Sequence, residues 1–249
     1  MQRKLLSLCV ALLFAIAATA QNGKAKYVFY FIGDGMGVNQ VNGTETYLAA
    51  MEGRIGTKPL CFAQFPHVGL VTTFSGTNGV TDSAAGGTAL ATGHKTKNGA
   101  LGVETDLSAK VGSIAEKAKA GGKAVGIATS VSVDHATPAA FYAHVKDRGM
   151  YYQIGKDLIA AGFDFYAGSD FLQPEGGNEG KDLYAQCREA GYAIARGYDD
   201  YRKKARKTEK ILLLQPEAGS QKDRTAIPYA IDRSKGDLTL QDITRAAIH

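Results

Sequence analysis

The 249-residue sequence has no tryptophan, six prolines and three cysteines. So few cysteines exclude a small scaffold stapled by several disulfides. Cys9 lies in the N-terminal apolar run, which leaves Cys61 and Cys187. An oxidising compartment permits a bridge between them, but two free thiols fit the sequence equally well. Beyond the N-terminal run, no stretch approaches the ~20 apolar residues that a membrane span needs. There is no internal repeat and no low-complexity linker. Charge of one sign is also scarce, with 29 Lys and Arg against 24 Asp and Glu. That mild basic excess suits a small anionic substrate and is no footprint for nucleic acid. The basic run "YRKKARKTEK" (Tyr201 to Lys210) reads as a solvated helix face.

Two common motifs are missing as well. A lipase-type nucleophile elbow needs G-x-S-x-G, but Thr81 and Ala85 flank the Asp82-Ser83-Ala84 triplet. A P-loop needs G-x-x-x-x-G-K-[ST], whereas five residues separate Gly87 from Gly93 and His94 precedes Lys95.

Residues 1–20 read as a secretory signal: Arg3 and Lys4, an apolar run from Leu5 to Ala18, then "ATA" before Gln21. Its removal leaves 27 bases against 24 acids and places the mature chain, one domain over 21–249, in a secreted or periplasmic setting.

Apolar runs bounded by glycine predict buried strands at Tyr27 to Ile32, "HVGLVTTF", "AVGIATSVSV", "DFYAGS" and "KILLLQ". Between them lie helical patterns. "SIAEKAKAGGK" stops at Gly121 and Gly122, and "TPAAFYAHV" offers Thr137 as N-cap with Pro138 in the first turn. Strands alternating with helices predict an α/β fold, a three-layer sandwich around a largely parallel sheet. Ligands of such sheets bind beyond the carboxyl ends of the strands.

Three polar features fall at those ends. Asp34 sits between Gly33 and Gly35, where a ligand can approach the backbone closely or an Asx-turn can form. Asp82 and Ser83 open a stretch from Asp82 to Thr92 made almost wholly of Ala, Gly and Thr. A helix there gathers free amides and a positive dipole end around Ser83, which suits phosphate, although either residue also serves as a plain N-cap. "DHATP" (Asp134 to Pro138) brings His135 and Thr137. Imidazole suits zinc, and hydroxyl and carboxylate oxygens suit magnesium. Arg148 follows, with a donor fork able to clamp a phosphate.

Together "FIGDGMG", "VTDSAAGGTALATGHKTKNGALGV" and "DHATPAAFYAHVKDR" resemble, in order, the N-terminal signature segments of alkaline phosphatases. The resemblance is dense from Tyr27 to Arg148 and looser beyond. It implies a phosphomonoesterase working through a phosphoserine at alkaline pH, with two zinc ions and one magnesium. Ser83 matches the nucleophile, and Asp82 the aspartate supporting the arginine matched by Arg148, which holds the phosphate. Asp34 matches a carboxylate bridging a zinc and the magnesium, and Thr137 a magnesium ligand. His135 resembles the animal-type variant beside the magnesium site. A homodimer is implied for the complete enzyme.

The family's later metal-ligand segments, E-G-x-x-I-D-H and A-D-H with a late histidine, are missing. His67, His94, His144 and His249 do not match them. The expectation is therefore an N-terminal portion of a longer enzyme, with the fold incomplete at its C-terminus. A phosphate-binding protein without turnover is the competing reading. Phosphodiesterases and sulfatases of the superfamily lack the T-D-S-A-A block or carry a different nucleophile context.

Overall fold

The structure, a computed structural model, describes residues 25–176, 180–217 and 224–249. The expected signal segment lies outside them. The chain divides into two compact units, Met1–Phe65 and Pro66–His249.

In the first unit, helix α1 (Val38–Met51) begins after Gly37, and a short 3-10 turn covers Cys61–Gln64. Tyr27 to Ile32 belongs to no strand, and Val28 and Phe31 are exposed. The strand expected there is not formed. A run this apolar holds a strand through a ladder partner and covering layers on both faces, and among the described residues no strand pairs with it.

In the second unit, helix α2 (Ser83–Thr92) comes first, then α3 (Ile114–Ala120) and strand β1 (Gly126–Ala128). Helices α4 (Ala136–Ala139) and α5 (Tyr151–Ala161) lead to β2 (Phe165–Gly168). Then follow α6 (Leu183–Glu189), β3 (Tyr192–Arg196), α7 (Tyr198–Lys204), β4 (Lys210–Leu214) and α8 (Leu240–Ile248). The four strands form one parallel sheet in the order β1-β2-β4-β3.

Alternation along the strands separates two buried faces. Phe165, Ala167, Ile211 and Leu213 pack with Tyr201 of α7 and with Ile243 and Ala246 of α8. On the opposite side, Tyr166 stacks on Phe163 and meets Tyr142 edge-on, and its hydroxyl donates to Leu158 O of α5 at 3.0 Å. Helices thus cover both faces of the parallel sheet, the expected α/β architecture. "KILLL" is apolar at nearly every position because both its faces are buried.

Strand expectations depart from the structure at three points in this unit. Of "AVGIATSVSV" only Gly126–Ala128 forms a strand, and as the edge of the sheet it is largely exposed rather than buried. "HVGLVTTF" joins no strand, and Val68, Leu70 and Val71 are exposed. β1 ends the sheet with no further strand beside it among the described residues, so this segment lacks the ladder that would hold it. Conversely β3 was not expected, because it lies between helical patterns. Its signals were local: Gly191 and Gly197, both at positive φ, bracket the five residues.

Cys61 is an exposed free thiol and Cys187 a buried one, and burial pushes the Cys187 pKa up to about 12. No described helix is long and apolar enough to cross a membrane.

Candidate active site

Helix α2 is defined at both ends by its own sequence. Asp82 is the N-cap in extended conformation, and its Oδ1 accepts the Ala85 N–H at 2.9 Å. Gly93 closes the helix at φ 80°, a left-handed position that suits glycine. The small residues between serve packing. A Cβ built on Gly87 would lie 3.0 Å from the Ala140 Cβ and 3.6 Å from the Thr137 Cα. Bulk at Gly87 would push α2 off the segment that carries Thr137 and His135.

The second carboxylate oxygen of Asp82 has a different task. Oδ2 accepts Arg148 Nη1 at 3.1 Å and the Gly99 N–H at 3.1 Å. Burial would raise the Asp82 pKa, but the Ala85 and Gly99 amides and the Arg148 guanidinium outweigh it and hold the carboxyl below its usual range. Asp82 therefore stays ionised and fixes one edge of the guanidinium. Gly99 also takes the Arg148 N–H on its carbonyl, at 2.7 Å. Gly99 thus ties the N-cap of α2 to the Arg148 backbone, while Asp82 itself holds the guanidinium. Gly99 falls within the quoted signature segment, but the segment does not disclose this role, because a backbone contact leaves no side-chain signature.

The other edge of Arg148 meets His135, with Nη2 3.3 Å from Nε2. His135 is the N-cap of α4, since its carbonyl accepts the Ala139 N–H at 3.0 Å. Thr137, expected as the cap, instead lies within the helix. The chain turns helical one residue before it, at Ala136. Just upstream, Asp134 is fully buried, and burial raises its carboxyl to about 6. Its Oδ2 accepts the Leu172 N–H at 2.8 Å.

The second unit thus gathers Asp82, Ser83, His135, Thr137 and Arg148 at the joint of α2, α4 and the 99–102 segment. Asp34 belongs to the first unit, exposed in a turn where Met36 N–H bonds Gly33 O at 3.1 Å and Gly35 has φ 67°. No three His, Cys, Asp or Glu side chains converge among the described residues. A catalytic zinc takes about three protein ligands, so the residues brought together here do not by themselves fit a zinc ion. What they make is a serine at a helix N-terminus, with an arginine held beside its cap. Such an arrangement is chemically able to take an anion beside a nucleophile.

The protein-family model for alkaline phosphatase matches residues 25–164, more than half of the chain, and this protein belongs to that family. Alkaline phosphatase 3 of Bacillus subtilis is 32% identical over 229 residues, covering 90% of this chain and 47% of its own. Alkaline phosphatase 4 of Drosophila melanogaster is 38% identical over 133 residues, or 50% of this chain and 22% of its own. The solved alkaline phosphatase from the Antarctic bacterium TAB5 superposes with a TM-score of 0.73 at 32% identity, covering 87% of this chain and 58% of that one. A variant of that enzyme was solved with magnesium bound in its M3 site. The chain spans about half the length of these relatives, or less.

Proposed function

We propose that the chain supplies the nucleophile and the phosphate clamp of a metal-dependent phosphomonoesterase. The observation that carries this reading is the Asp82–Arg148 pair at the N-terminus of the helix that opens with Ser83. The phosphoryl group of a monoester would lie against that N-terminus, with two of its oxygens on the Arg148 fork. Ser83 Oγ would attack phosphorus while the bond to the alcohol oxygen breaks, and the alcohol leaves with a proton. Water then attacks the phosphoserine, which releases inorganic phosphate and restores the hydroxyl. Asp82 touches neither group and positions Arg148.

Family membership supports two zinc ions and one magnesium for the complete enzyme, and magnesium in the M3 site of the TAB5 variant agrees with part of that set. When bound, such ions supply charge to the phosphoryl oxygens and lower the pKa of the attacking hydroxyl. From this chain Asp34, Ser83, Thr137 and His135 are the candidate contributors. The reading includes an N-terminal portion of a longer, homodimeric enzyme that is exported to a secreted or periplasmic location. The test is hydrolysis of an aryl phosphate by a full-length version, with and without Ser83→Ala. Loss of turnover with metal content retained supports the reading, and retained turnover overturns it.

A further inference from the structure

Behind the phosphate clamp lies a histidine that no catalytic role absorbs. His144 is mostly buried, and both of its ring nitrogens face acceptors. Nδ1 is 2.7 Å from the carbonyl oxygen of Gly102, and Nε2 is 2.8 Å from Oε1 of Glu116. A neutral imidazole has one donor nitrogen and one acceptor nitrogen. With the Glu116 carboxyl ionised, as its lowered pKa keeps it, two acceptors at bonding distance place a proton on each nitrogen.

Every partner of this ring is fixed in turn. Oε2 of Glu116 accepts the Ser113 N–H at 2.7 Å, and the Ser113 hydroxyl accepts the Glu116 N–H at 3.0 Å, a closed capping box on α3. The same hydroxyl donates to Phe141 O at 2.6 Å. The Gly102 N–H donates to Thr88 Oγ1 of α2 at 3.1 Å. Gly102 stands at φ 57°, and a Cβ there would fall 2.2 Å from Ala143 O and 2.7 Å from His144 Nδ1. The position admits glycine so that the histidine can close on its carbonyl.

The ring therefore joins α2, the 99–102 segment and α3 at one point. From that point a short ladder runs to the clamp. Leu101 N–H donates to Val145 O at 2.9 Å and Val145 N–H to Leu101 O at 3.0 Å. Next along the pair, Gly99 binds the Arg148 N–H and Asp82 Oδ2.

We propose that His144, as an imidazolium bridging Gly102 and Glu116, is a positioning residue for the Asp82–Arg148 pair. It acts through the 99–102/145–148 ladder and touches no substrate. The functional meaning of the bridge rests on the phosphate reading of Arg148; the bridge itself does not.

Charge around the ring agrees with this. The Glu116 carboxylate and, less strongly, the Gly102 carbonyl raise the His144 pKa, against burial and Lys110. Asp157 of α5 accepts the His144 backbone N–H at 3.0 Å from another side. Burial would raise Glu116, but hydrogen bonds from His144 and Ser113 outweigh it and hold it low. The bridge is complete between the usual carboxyl value of 4.5 and the usual imidazole value of 6.5, and it is lost as pH rises through the raised His144 value. At the acid end it is lost as pH falls through the lowered Glu116 value.

The test is a pH titration of the full 249-residue chain labelled with ¹³C and ¹⁵N. Ring nitrogens of His144 report protonation, and the backbone carbonyl carbons of Gly99 and Arg148 report the clamp without exchanging with water. Expected are two protonated ring nitrogens below the usual imidazole pKa, and Gly99 and Arg148 signals that move with the ring's own midpoint. In Glu116→Gln the ring midpoint falls and the Gly99 and Arg148 transitions follow it down, while Leu212 in the sheet stays still. A ring that is still singly protonated below the usual imidazole pKa overturns the proposal. So does a ring that titrates while Gly99 and Arg148 remain silent. Failure of the phosphate assignment would leave this titration unchanged, so the two readings fail separately.

Discussion

Arg148 Nη1 stands 3.1 Å from Asp82 Oδ2, across 66 residues of chain. The other Asp82 oxygen caps the helix that begins with Ser83. One carboxylate thus fixes the helix start and the orientation of the guanidinium beside it. Removing it should disturb both, whereas removing the arginine should disturb only the anion site.

Ser83 is the expected site of the covalent phosphoryl group in the full-length enzyme. Labelled phosphate trapped at acidic pH and followed by peptide mapping should locate on the peptide containing Ser83. Ser83→Ala should abolish both label and turnover. A label on another peptide would remove Ser83 from the mechanism.

Arg148→Ala in the full-length enzyme should weaken inhibition by inorganic phosphate about tenfold or more. A charge-assisted bidentate contact contributes roughly 1.5–3 kcal/mol, and ~1.4 kcal/mol is tenfold. Zinc content should be unchanged, because the guanidinium is not a metal ligand. Unaltered inhibition would reduce Arg148 to an ordinary ion pair.

Asp82 should make the fold sensitive to acid. Its folded pKa is lowered, so its contribution is complete above its usual pKa of 3.8 and is lost as pH falls through the lower folded value. Asp82→Asn should flatten the pH dependence of the melting temperature in that acid range. Wild-type slope in the variant would mean that the carboxylate contributes nothing.

Two glycines should respond differently to alanine. Gly93 and Gly102 both have positive φ, 80° and 57°. Nothing lies within 4 Å of a Cβ at Gly93, whereas at Gly102 Ala143 O would be 2.2 Å away. Gly93→Ala should cost about 1 kcal/mol of conformational strain. Gly102→Ala should cost roughly 2 kcal/mol more, because backbone must move. Urea denaturation of both variants measures the difference, and equal losses would contradict the close approach.

The 249-residue chain alone should show no appreciable phosphatase activity. Its described residues bring no zinc-ligand set together, and without a metal the Ser83 hydroxyl stays protonated near neutral pH. An aryl phosphate assay at alkaline pH with added zinc and magnesium is decisive. Turnover that depends on both Ser83 and metal would show that the chain suffices.

The sequence by itself determined the features written in local chemistry. The α/β class followed from "AVGIATSVSV", "DFYAGS" and "KILLLQ", of which the last two form strands buried on both faces while β1 is short and largely exposed. The start of α2 followed from Asp82-Ser83, because an N-cap is set by a few adjacent residues, whereas Gly93 as its left-handed end came from the structure. Membership of the family followed from motif order. Strand formation did not: Tyr27 to Ile32 and "HVGLVTTF" have the composition of strands, but a strand exists only where a ladder partner lies alongside. Only the tertiary structure placed Asp82 on Arg148, made Gly99 the tie between them, and set His144 between Gly102 and Glu116. These contacts join residues 17 to 66 positions apart or run through backbone groups that every residue carries. Their geometry is decided by how α2, α3 and α4 pack, and periodicity along the chain carries no record of it.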